Sequence, residues 1–219
     1  MNISIQNLTK VIKGNVVTDN ISIELQSGNV YGLCGYNGCG KTMLMRLISG
    51  LILPTKGNII FDGKKLGKDI DFPFKTGVLI ENPAFIEGKT GFENLKLLAS
   101  IGSNISDDSI RETISRVGLD PSDKKKFHKF SLGMKQRLGI AAAIMEKPEL
   151  IILDEPTNSL DNSGVQLTKK IIIEEKARGA LVIMTCHDYS VLESVCNVIF
   201  TIENGKITDR NDMELKYEE

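Results

Sequence analysis

The 219-residue chain has an ordinary globular composition, with 41% hydrophobic and 25% charged residues, and is long enough to bury one sizeable core. Its 27 basic and 28 acidic residues leave a net charge of -1, which argues against a protein that attracts nucleic acid or anionic lipid through a large positive field. The four cysteines form no CxxC pair and have no metal-ligand spacing, which favours a reducing compartment.

The hydropathy pattern argues against a secreted or membrane-crossing chain. The amino-terminal sequence MNISIQNLTK alternates apolar and polar residues, so we expect no signal peptide. No uninterrupted apolar stretch approaches the roughly 18 residues that a membrane span requires. If the protein works at a membrane, we expect another chain to cross it.

Two kinds of strand pattern occur along the chain. Alternation of apolar and polar residues at 3–5 and 21–25 predicts antiparallel strands with one buried face. Short continuous apolar runs predict parallel strands that are covered on both faces. These runs are VYGLC (30–34), VLI (78–80), LIIL (150–153), ALVIMT (180–185) and VIFTI (198–202). Helical patterns follow Lys41, extend over about 163–178 and follow His187.

The interval from about 83 to 147 has three helix-like segments and no strand pattern. Asp107 and Asp108 are the predicted N-caps of one segment, and Gly118 is its predicted end. We therefore expect a single domain, 1–219, of the α/β class. Its core, 1–82 and 148–219, would combine a mostly parallel sheet with an antiparallel β subdomain, and 83–147 would form an inserted helical subdomain.

A P-loop occurs in the sequence GLCGYNGCGKT, between an apolar strand pattern and a helical one. Its glycines allow backbone N–H groups to surround phosphate oxygens, and the helix start directs its positive dipole end toward them. We expect Lys41 to neutralise the β- and γ-phosphates and the Thr42 hydroxyl to bind Mg²⁺. The predicted nucleotide-binding residues here are Gly35, Asn37, Gly38, Cys39, Gly40, Lys41, Thr42 and Met43.

Two adjacent acids, Asp154 and Glu155, end the apolar run in LIILDEP. Two acids at the end of a buried strand are costly unless a cation or a catalytic task compensates them. In P-loop enzymes the first such acid holds Mg²⁺, and the second is placed to polarise the attacking water. The alternative, surface acids that cap the following turn, is disfavoured because a P-loop is present.

Two further residues are ambiguous when each is taken alone. Ser131, in FSLGMKQRLGIAAA, precedes a long helical pattern and is a predicted N-cap at a potential anion site. A serine before a helix is usually only a cap. His187 ends the run in ALVIMTCHD, and a lone histidine is more often structural.

The order and spacing of these motifs resemble the ATP-binding subunits of ABC transporters over essentially the whole chain. The resemblance implies a P-loop NTPase core and MgATP held between the P-loop of one protomer and the signature 131–136 of a second, hence a homodimer. It also implies separate transmembrane permease subunits, a cytoplasmic position at the inner face of the cell membrane, and no nucleic-acid partner. The residues it assigns are Glu155, His187 and Lys41 for catalysis, with Ser131, Gly133, Gln136 and Asp161 at the nucleotide.

The sequence departs from the usual family pattern at three places. The family signature usually reads Leu-Ser-Gly-Gly-Gln, whereas this chain has Phe130, Ser131, Leu132, Gly133 and Met134, so that Ser131 and Gly133 are kept. Ile12 occupies the position of the aromatic residue that stacks on adenine, so we expect adenine to rest on an aliphatic side chain. Glu81 replaces the usual glutamine, and its context LIENPAF, together with SLGMKQRL, resembles the subgroup that exports or confers immunity to lantibiotics and bacitracin.

The carboxylate of Glu81 poses an electrostatic problem beside a triphosphate. A bare carboxylate about 4 Å from a phosphate charge would cost on the order of 4 kcal/mol at an effective dielectric constant near 20. We therefore expect Mg²⁺ or water to separate the two, or Glu81 to swing toward the helical subdomain. Either would make Glu81 a metal-binding or catalytic residue and a relay to Asn82 and Pro83. The simpler alternative is a solvated strand end.

Two other functional classes compete with a transporter subunit. One is an ABC-type ATPase without a transport role. The absence of a heptad run disfavours the DNA-repair kind, and the single motif set disfavours the translation kind. An assembly scaffold, as in iron-sulfur biogenesis, stays open. The other class is a regulatory module without turnover, which the presence of Glu155 and His187 disfavours.

Overall fold

The computed structural model describes residues 1–73, 75–102 and 105–213, and its strands and helices are numbered in chain order. A four-stranded antiparallel sheet has the order β2-β1-β4-β5. Its strands are β1 (Asn2–Ile12), β2 (Asn15–Gln26), β4 (Lys56–Phe61) and β5 (Lys64–Lys65). The alternating pattern near the amino terminus therefore predicted the strand type correctly.

The second sheet has six strands in the order β10-β9-β3-β8-β7-β6, and only β10 runs antiparallel to its neighbour. Its strands are β3 (Val30–Cys34), β6 (Thr76–Leu79), β7 (Leu150–Leu153), β8 (Leu181–Thr185), β9 (Val198–Glu203) and β10 (Lys206–Asp212). The continuous apolar runs thus form the parallel strands, and the predicted α/β class with a mostly parallel sheet is confirmed.

Six α-helices and one short 3₁₀ helix, Phe127–Lys129, are present in the described part of the chain. The α-helices are α1 (Lys41–Ile48), α2 (Gly91–Gly102), α3 (Asp107–Arg116), α4 (Leu132–Ile144), α5 (Asn162–Ala177) and α6 (Tyr189–Val195). Helices α2, α3 and α4 occupy the interval between β6 and β7, where three helical segments were predicted. None of the described helices is long and apolar enough to cross a membrane.

Alternate residues of the parallel sheet enter two different hydrophobic cores. In β7, Ile151 and Leu153 pack with the side that carries α4 and α5, whereas Leu150 and Ile152 pack with α1 and the antiparallel sheet. Burying each such side chain contributes about 1.5–3 kcal/mol. The continuous apolar character of the strand is explained because both of its faces are covered.

The start of α3 differs from the prediction. Asp107 and Asp108 are not its N-caps but lie in its first turn, and the N-cap is Ser106, whose Oγ accepts a hydrogen bond from the backbone N of Ser109 at 3.2 Å. Ser106 has the extended backbone that a cap requires, so the two acids instead favour the helix dipole. The predicted end is confirmed, since Gly118 follows the last turn with φ of 74°.

Candidate active site

The P-loop joins β3 to α1 and lies against two other strands. A Cβ atom at Gly35 would be 2.2 Å from the carbonyl oxygen of Ile202, and one at Gly40 would be 2.7 Å from that of Val17. Both glycines also have positive φ, 139° and 115°. Side chains are therefore excluded at these two positions, and the loop is packed tightly against β9 and β2.

Lys41, the first residue of α1, is only 8% exposed and directs its ammonium group into the loop. Its Nζ donates hydrogen bonds to the carbonyl oxygens of Gly35 at 2.7 Å and Tyr36 at 3.1 Å. Both partners are neutral, so they orient the ammonium without cancelling its charge. The loop consequently presents a positive charge to an anionic ligand.

A chain of hydrogen bonds links the P-loop helix to the ends of β7 and β8. The Thr42 Oγ1 donates to Asp154 Oδ2 at 2.8 Å, and the Thr185 Oγ1 donates to Asp154 Oδ1 at 2.7 Å. The backbone N of Glu155 donates to Thr185 Oγ1 at 2.8 Å. These bonds satisfy the buried Asp154 carboxylate and hold it beside the Thr42 hydroxyl.

Glu155 and His187 meet at the same edge of the sheet. The backbone N of His187 donates to Glu155 Oε2 at 3.1 Å, and its ring Nε2 lies 3.5 Å from Glu155 Oε1. Burial raises the pKa of Glu155, while the attraction of His187 opposes that rise. Glu155 also has a left-handed backbone, with φ of 51°. The structure therefore places a partly desolvated carboxylate next to a histidine, an arrangement suited to handling a proton.

One pocket, called the phosphate pocket below because the P-loop lines it, brings together predicted residues from four segments. It is lined by Asn37, Gly38, Gly40, Lys41, Thr42 and Met43 of the P-loop, Glu81 after β6, Asp154 and Glu155 after β7, and His187 after β8. The strand order explains this grouping, because the carboxyl ends of the parallel strands β3, β8, β7 and β6 lie at one edge of the sheet.

Three of the residues predicted at the P-loop and near the amino terminus stand outside the pocket lining. Cys39 is buried in the core, and its backbone N donates to the Tyr36 carbonyl at 3.2 Å within the loop. The neighbouring pocket wall comes from Val17 of β2. Ile12 lies at the end of β1, paired with Asn15. Gly35 contributes the carbonyl that receives Lys41.

A second cavity, called the signature cavity below, lies at the start of α4. Ser131, Gly133 and Asp161 line this cavity, and it shares no described lining residue with the phosphate pocket. Ser131 is the N-cap of α4, as predicted, because its Oγ accepts a hydrogen bond from the backbone N of Met134 at 3.2 Å. The next residue, Leu132, is 70% exposed. The start of α4 is thus directed toward solvent within one protomer.

Asp161 and Gln136 make contacts inside the protomer. The Asp161 carboxylate caps α5 by accepting from the backbone N of Gly164 at 2.9 Å, and this bond, together with one from Ser163, lowers its pKa. Gln136 is 7% exposed, and its Nε2 donates to the backbone carbonyl of Glu155 at 2.9 Å. Gln136 therefore ties the signature helix to the residue beside the phosphate pocket.

Glu81 follows β6 and is paired with a residue that the sequence analysis did not single out. Its Oε1 accepts a hydrogen bond from Arg46 Nη2 at 2.5 Å, and Arg46 also lines the phosphate pocket. Arg46 is four residues after Thr42 on α1, a spacing that puts both on one face of the helix and that the sequence already contained. Thr185 was also missed, although a polar residue at the end of an apolar run indicates a site.

Comparisons with known proteins agree with this geometry. Residues 18–158 match the model of the ABC transporter family. An uncharacterized ABC transporter ATP-binding protein, YybJ of Bacillus subtilis (strain 168), is 48% identical over 94% of this chain and 94% of its own length. The lantibiotic transport ATP-binding protein SrtF of Streptococcus pyogenes is 37% identical over 94% of this chain and 88% of its own length.

Two further similarities extend the comparison. The bacitracin transport ATP-binding protein BcrA of Enterococcus faecalis is 37% identical over 94% of this chain and 68% of its own length. The fold also matches a solved dimeric post-hydrolysis state of the ATP-binding cassette MJ0796 bound to ADP and phosphate, with a TM-score of 0.85, 22% identity, and coverage of 97% of this chain and 99% of that chain. The chain therefore belongs to the ABC transporter family, as an ATP-binding subunit of the class that hydrolyses ATP.

Proposed function

We propose that the pocket beside the P-loop binds MgATP and that Glu155 polarises the water that attacks the γ-phosphate. The hydrogen-bonded series from Thr42 through Asp154 and Thr185 to Glu155 carries this proposal. It places a hydroxyl and a carboxylate 2.8 Å apart, which are the oxygen ligands that Mg²⁺ prefers. Bound Mg²⁺ would neutralise charge on the β- and γ-phosphates.

The other pocket residues bind the phosphates, accept the proton and position the base. Lys41 binds the phosphates through its ammonium, and the start of α1 provides backbone N–H groups to them. Glu155 accepts the proton of the attacking water, since burial raises its pKa toward the range in which a carboxylate is an effective base. His187 holds that carboxylate in place through its backbone N and ring.

We infer that a second copy of the chain completes the site. In the described part of one protomer, Ser131 and Gly133 lie at a cavity separate from the phosphate pocket. The backbone N–H groups at the start of a 13-residue helix form a good anion site. The dimeric state of the structurally similar MJ0796 supports the same arrangement here. Ser131, Gly133 and Asp161 would then approach the nucleotide of the partner copy.

A phosphate-release assay tests the catalytic proposal. The purified chain should hydrolyse ATP with Mg²⁺ present and lose that activity in EDTA. Asp154→Asn should lose the Mg²⁺-dependent activity while its melting temperature stays within a few degrees of the parent. Hydrolysis that persists at the parental rate in Asp154→Asn would contradict the assigned metal position.

We further propose that the subunit powers a bacterial exporter of peptide antibiotics, at the inner face of the cell membrane and with separate permease subunits. The similarity to SrtF, a lantibiotic transport protein, and to BcrA, a bacitracin transport protein, supports this substrate class. A face on α2 suits a membrane partner, because Leu97, Leu98 and Ile101 are exposed there, the last to 81%. Such a row of exposed apolar residues marks an interaction surface.

Growth assays test the transport proposal. Deleting the chromosomal copy should lower resistance to a panel of lantibiotics and bacitracin, and the parental chain, but not Glu155→Gln, should restore it. A membrane protein should co-purify from native cells. Unchanged resistance across the panel, or co-purification with a metal-cluster assembly factor instead, would contradict export.

A further inference from the structure

An ion pair at the rim of the phosphate pocket explains how the fold accommodates a carboxylate there. Arg46 Nη2 donates to Glu81 Oε1 at 2.5 Å, across 35 residues of sequence. Both side chains line the pocket that also contains Lys41, Thr42 and Asp154. Arg46 comes from α1, the helix that follows the P-loop, so the cation is supplied by the phosphate-binding element itself.

The exposure of the ion pair indicates that it contributes little to the stability of the fold. The Arg46 and Glu81 side chains are 35% and 62% exposed, and ion pairs this accessible to water contribute little to stability. Their position in the pocket gives them an electrostatic effect on a bound anion instead. A polyphosphate would meet a neutral pair rather than a bare carboxylate.

The backbone around Glu81 limits the other ways of removing its charge from the pocket. Glu81 has a left-handed backbone with φ of 61°, and Pro83, two residues later, packs on α4 next to Gly139. A Cβ atom at Gly139 would be 2.9 Å from Pro83 Cβ, so the contact is close. Pro83 therefore fixes the chain after Glu81 against α4, and Arg46 is the ion-pair partner of the Glu81 carboxylate among the described residues.

We propose that Arg46 is a positioning residue that sets the affinity of the pocket for MgATP by neutralising Glu81 and holding its carboxylate against α1. The proposal rests on the proposed function, since it requires MgATP to bind in this pocket. It assigns to Arg46 an effect that is transmitted through Glu81, not through a direct bond to the nucleotide.

The two single substitutions should change affinity in opposite directions. Arg46→Ala leaves a bare carboxylate beside the phosphates and should weaken MgATP binding by about tenfold. Glu81→Gln removes the negative charge and leaves Arg46 unpaired, which should tighten binding by about threefold. The double variant Arg46→Ala/Glu81→Gln should return to within about twofold of the parent. Binding would be measured by titrating a fluorescent ATP analogue in Mg²⁺ at low ionic strength.

A second ion pair at the other end of β6 provides the matched control. Lys75 Nζ lies 3.8 Å from Glu149 Oε1 on the surface, and neither residue lines the phosphate pocket. Lys75→Ala removes one surface cation, as Arg46→Ala does, and should leave MgATP affinity unchanged. An equal loss of affinity in Lys75→Ala would show that net charge, not the pair, determines binding.

Two outcomes would overturn the proposal while leaving ATP binding intact. If the double variant binds as weakly as Arg46→Ala, Arg46 contacts the nucleotide itself. If Glu81→Gln weakens binding and raises the Mg²⁺ concentration required, Glu81 is a metal ligand. If the parental chain fails to bind MgATP in the same titration, the proposed function fails first, so the two failures are distinguishable.

Discussion

The phosphate pocket and the signature cavity differ in how their polar groups are satisfied. In the pocket, Lys41 bonds carbonyls of its own loop, Thr42 bonds Asp154, and Glu155 bonds Thr185. All four of these pocket residues are buried or partly buried. At the signature cavity, Ser131 makes only the local cap of its own helix and is exposed. The first region is organised within one chain, whereas the second is the surface that we propose for another molecule.

This difference has a physical consequence for the order of events. Groups that are already oriented lose little entropy when a ligand binds, so the pocket is prepared for the nucleotide before any partner arrives. In the proposed dimer, the N–H groups at the start of α4 gain their anion only when the partner copy supplies it. Gln136 connects the two regions through its bond to the Glu155 carbonyl.

The largest effect is expected on ATP hydrolysis when Glu155, the proposed base, is replaced. Glu155→Gln keeps the shape of the side chain but removes its ability to accept a proton, so ATP hydrolysis should fall about 10²–10⁴-fold. Affinity for MgATP should be retained, because Lys41 and Thr42 are unchanged. Phosphate release and nucleotide titration measure the two quantities. Parental turnover in this variant would remove Glu155 from the mechanism.

Removal of the Lys41 ammonium should leave the P-loop without the positive charge that attracts a phosphate. Lys41→Ala should weaken ATP binding about 100-fold, because charge-assisted hydrogen bonds are worth about 1.5–3 kcal/mol each and 1.4 kcal/mol corresponds to tenfold. Isothermal titration with ATP checks the change. The surface variant Lys75→Ala serves as the control, and equal affinities for the two variants would contradict the role of Lys41.

Breaking the link between the two regions should affect stability more than nucleotide affinity. Gln136→Ala removes one of two hydrogen bonds to the Glu155 carbonyl, which keeps its bond from the backbone N of Asn158 at 3.1 Å, so the free energy of unfolding should fall by about 0.5–1.5 kcal/mol. Urea denaturation followed by circular dichroism measures the loss. An unchanged denaturation midpoint would mean that water replaces the amide and that the two regions are not coupled through this bond.

The smallest predicted effect is a displacement of the pH profile. Hydrolysis requires the ionised form of Glu155, and burial raises its pKa, so activity should disappear as the pH falls through that raised value. His187 opposes the rise. His187→Ala should therefore move the acidic limb of the profile to higher pH. A displacement to lower pH would show that His187 does not stabilise the carboxylate.

The regular elements were predictable because their local patterns agree with their surroundings. The β7 run LIIL is apolar throughout because both faces of that strand are covered, and its predicted bounds match those observed. The predicted N-cap of α3 was wrong because serine and aspartate are both common N-cap residues, and Ser106, Asp107 and Asp108 are adjacent. Ser106 is the cap because its backbone is extended, and the residue types in this stretch do not predict which backbone is extended.

The site residues that lie within one sequence motif were predictable. The contacts between residues far apart in the sequence were not. Lys41 and Thr42 lie in the P-loop, and their surroundings follow from the strand, loop and helix around them. Arg46 reaches Glu81 only because α1 and β6 come together in the fold. Thr185 likewise bonds Asp154 across adjacent strands. Such pairs depend on strand order, which a single sequence does not encode locally.

The proposed division of the ATP site between two copies can be tested directly at Gly133. A Cβ atom at Gly133 would lie 3.0 Å from the Ser159 carbonyl, so a large side chain must extend from the cavity and block a facing surface. Gly88 is exposed, with no neighbouring atom within 4 Å of an added Cβ, and Gly88→Phe is therefore a matched control.

The decisive measurement is the molecular mass of these variants in MgATP by light scattering. All of them carry Glu155→Gln so that ATP hydrolysis does not dissociate the dimer. We expect a dimer for Glu155→Gln alone and with Gly88→Phe, and a monomer that still binds ATP for Glu155→Gln with Gly133→Phe. A dimer of undiminished affinity in the Gly133→Phe variant would contradict the shared site.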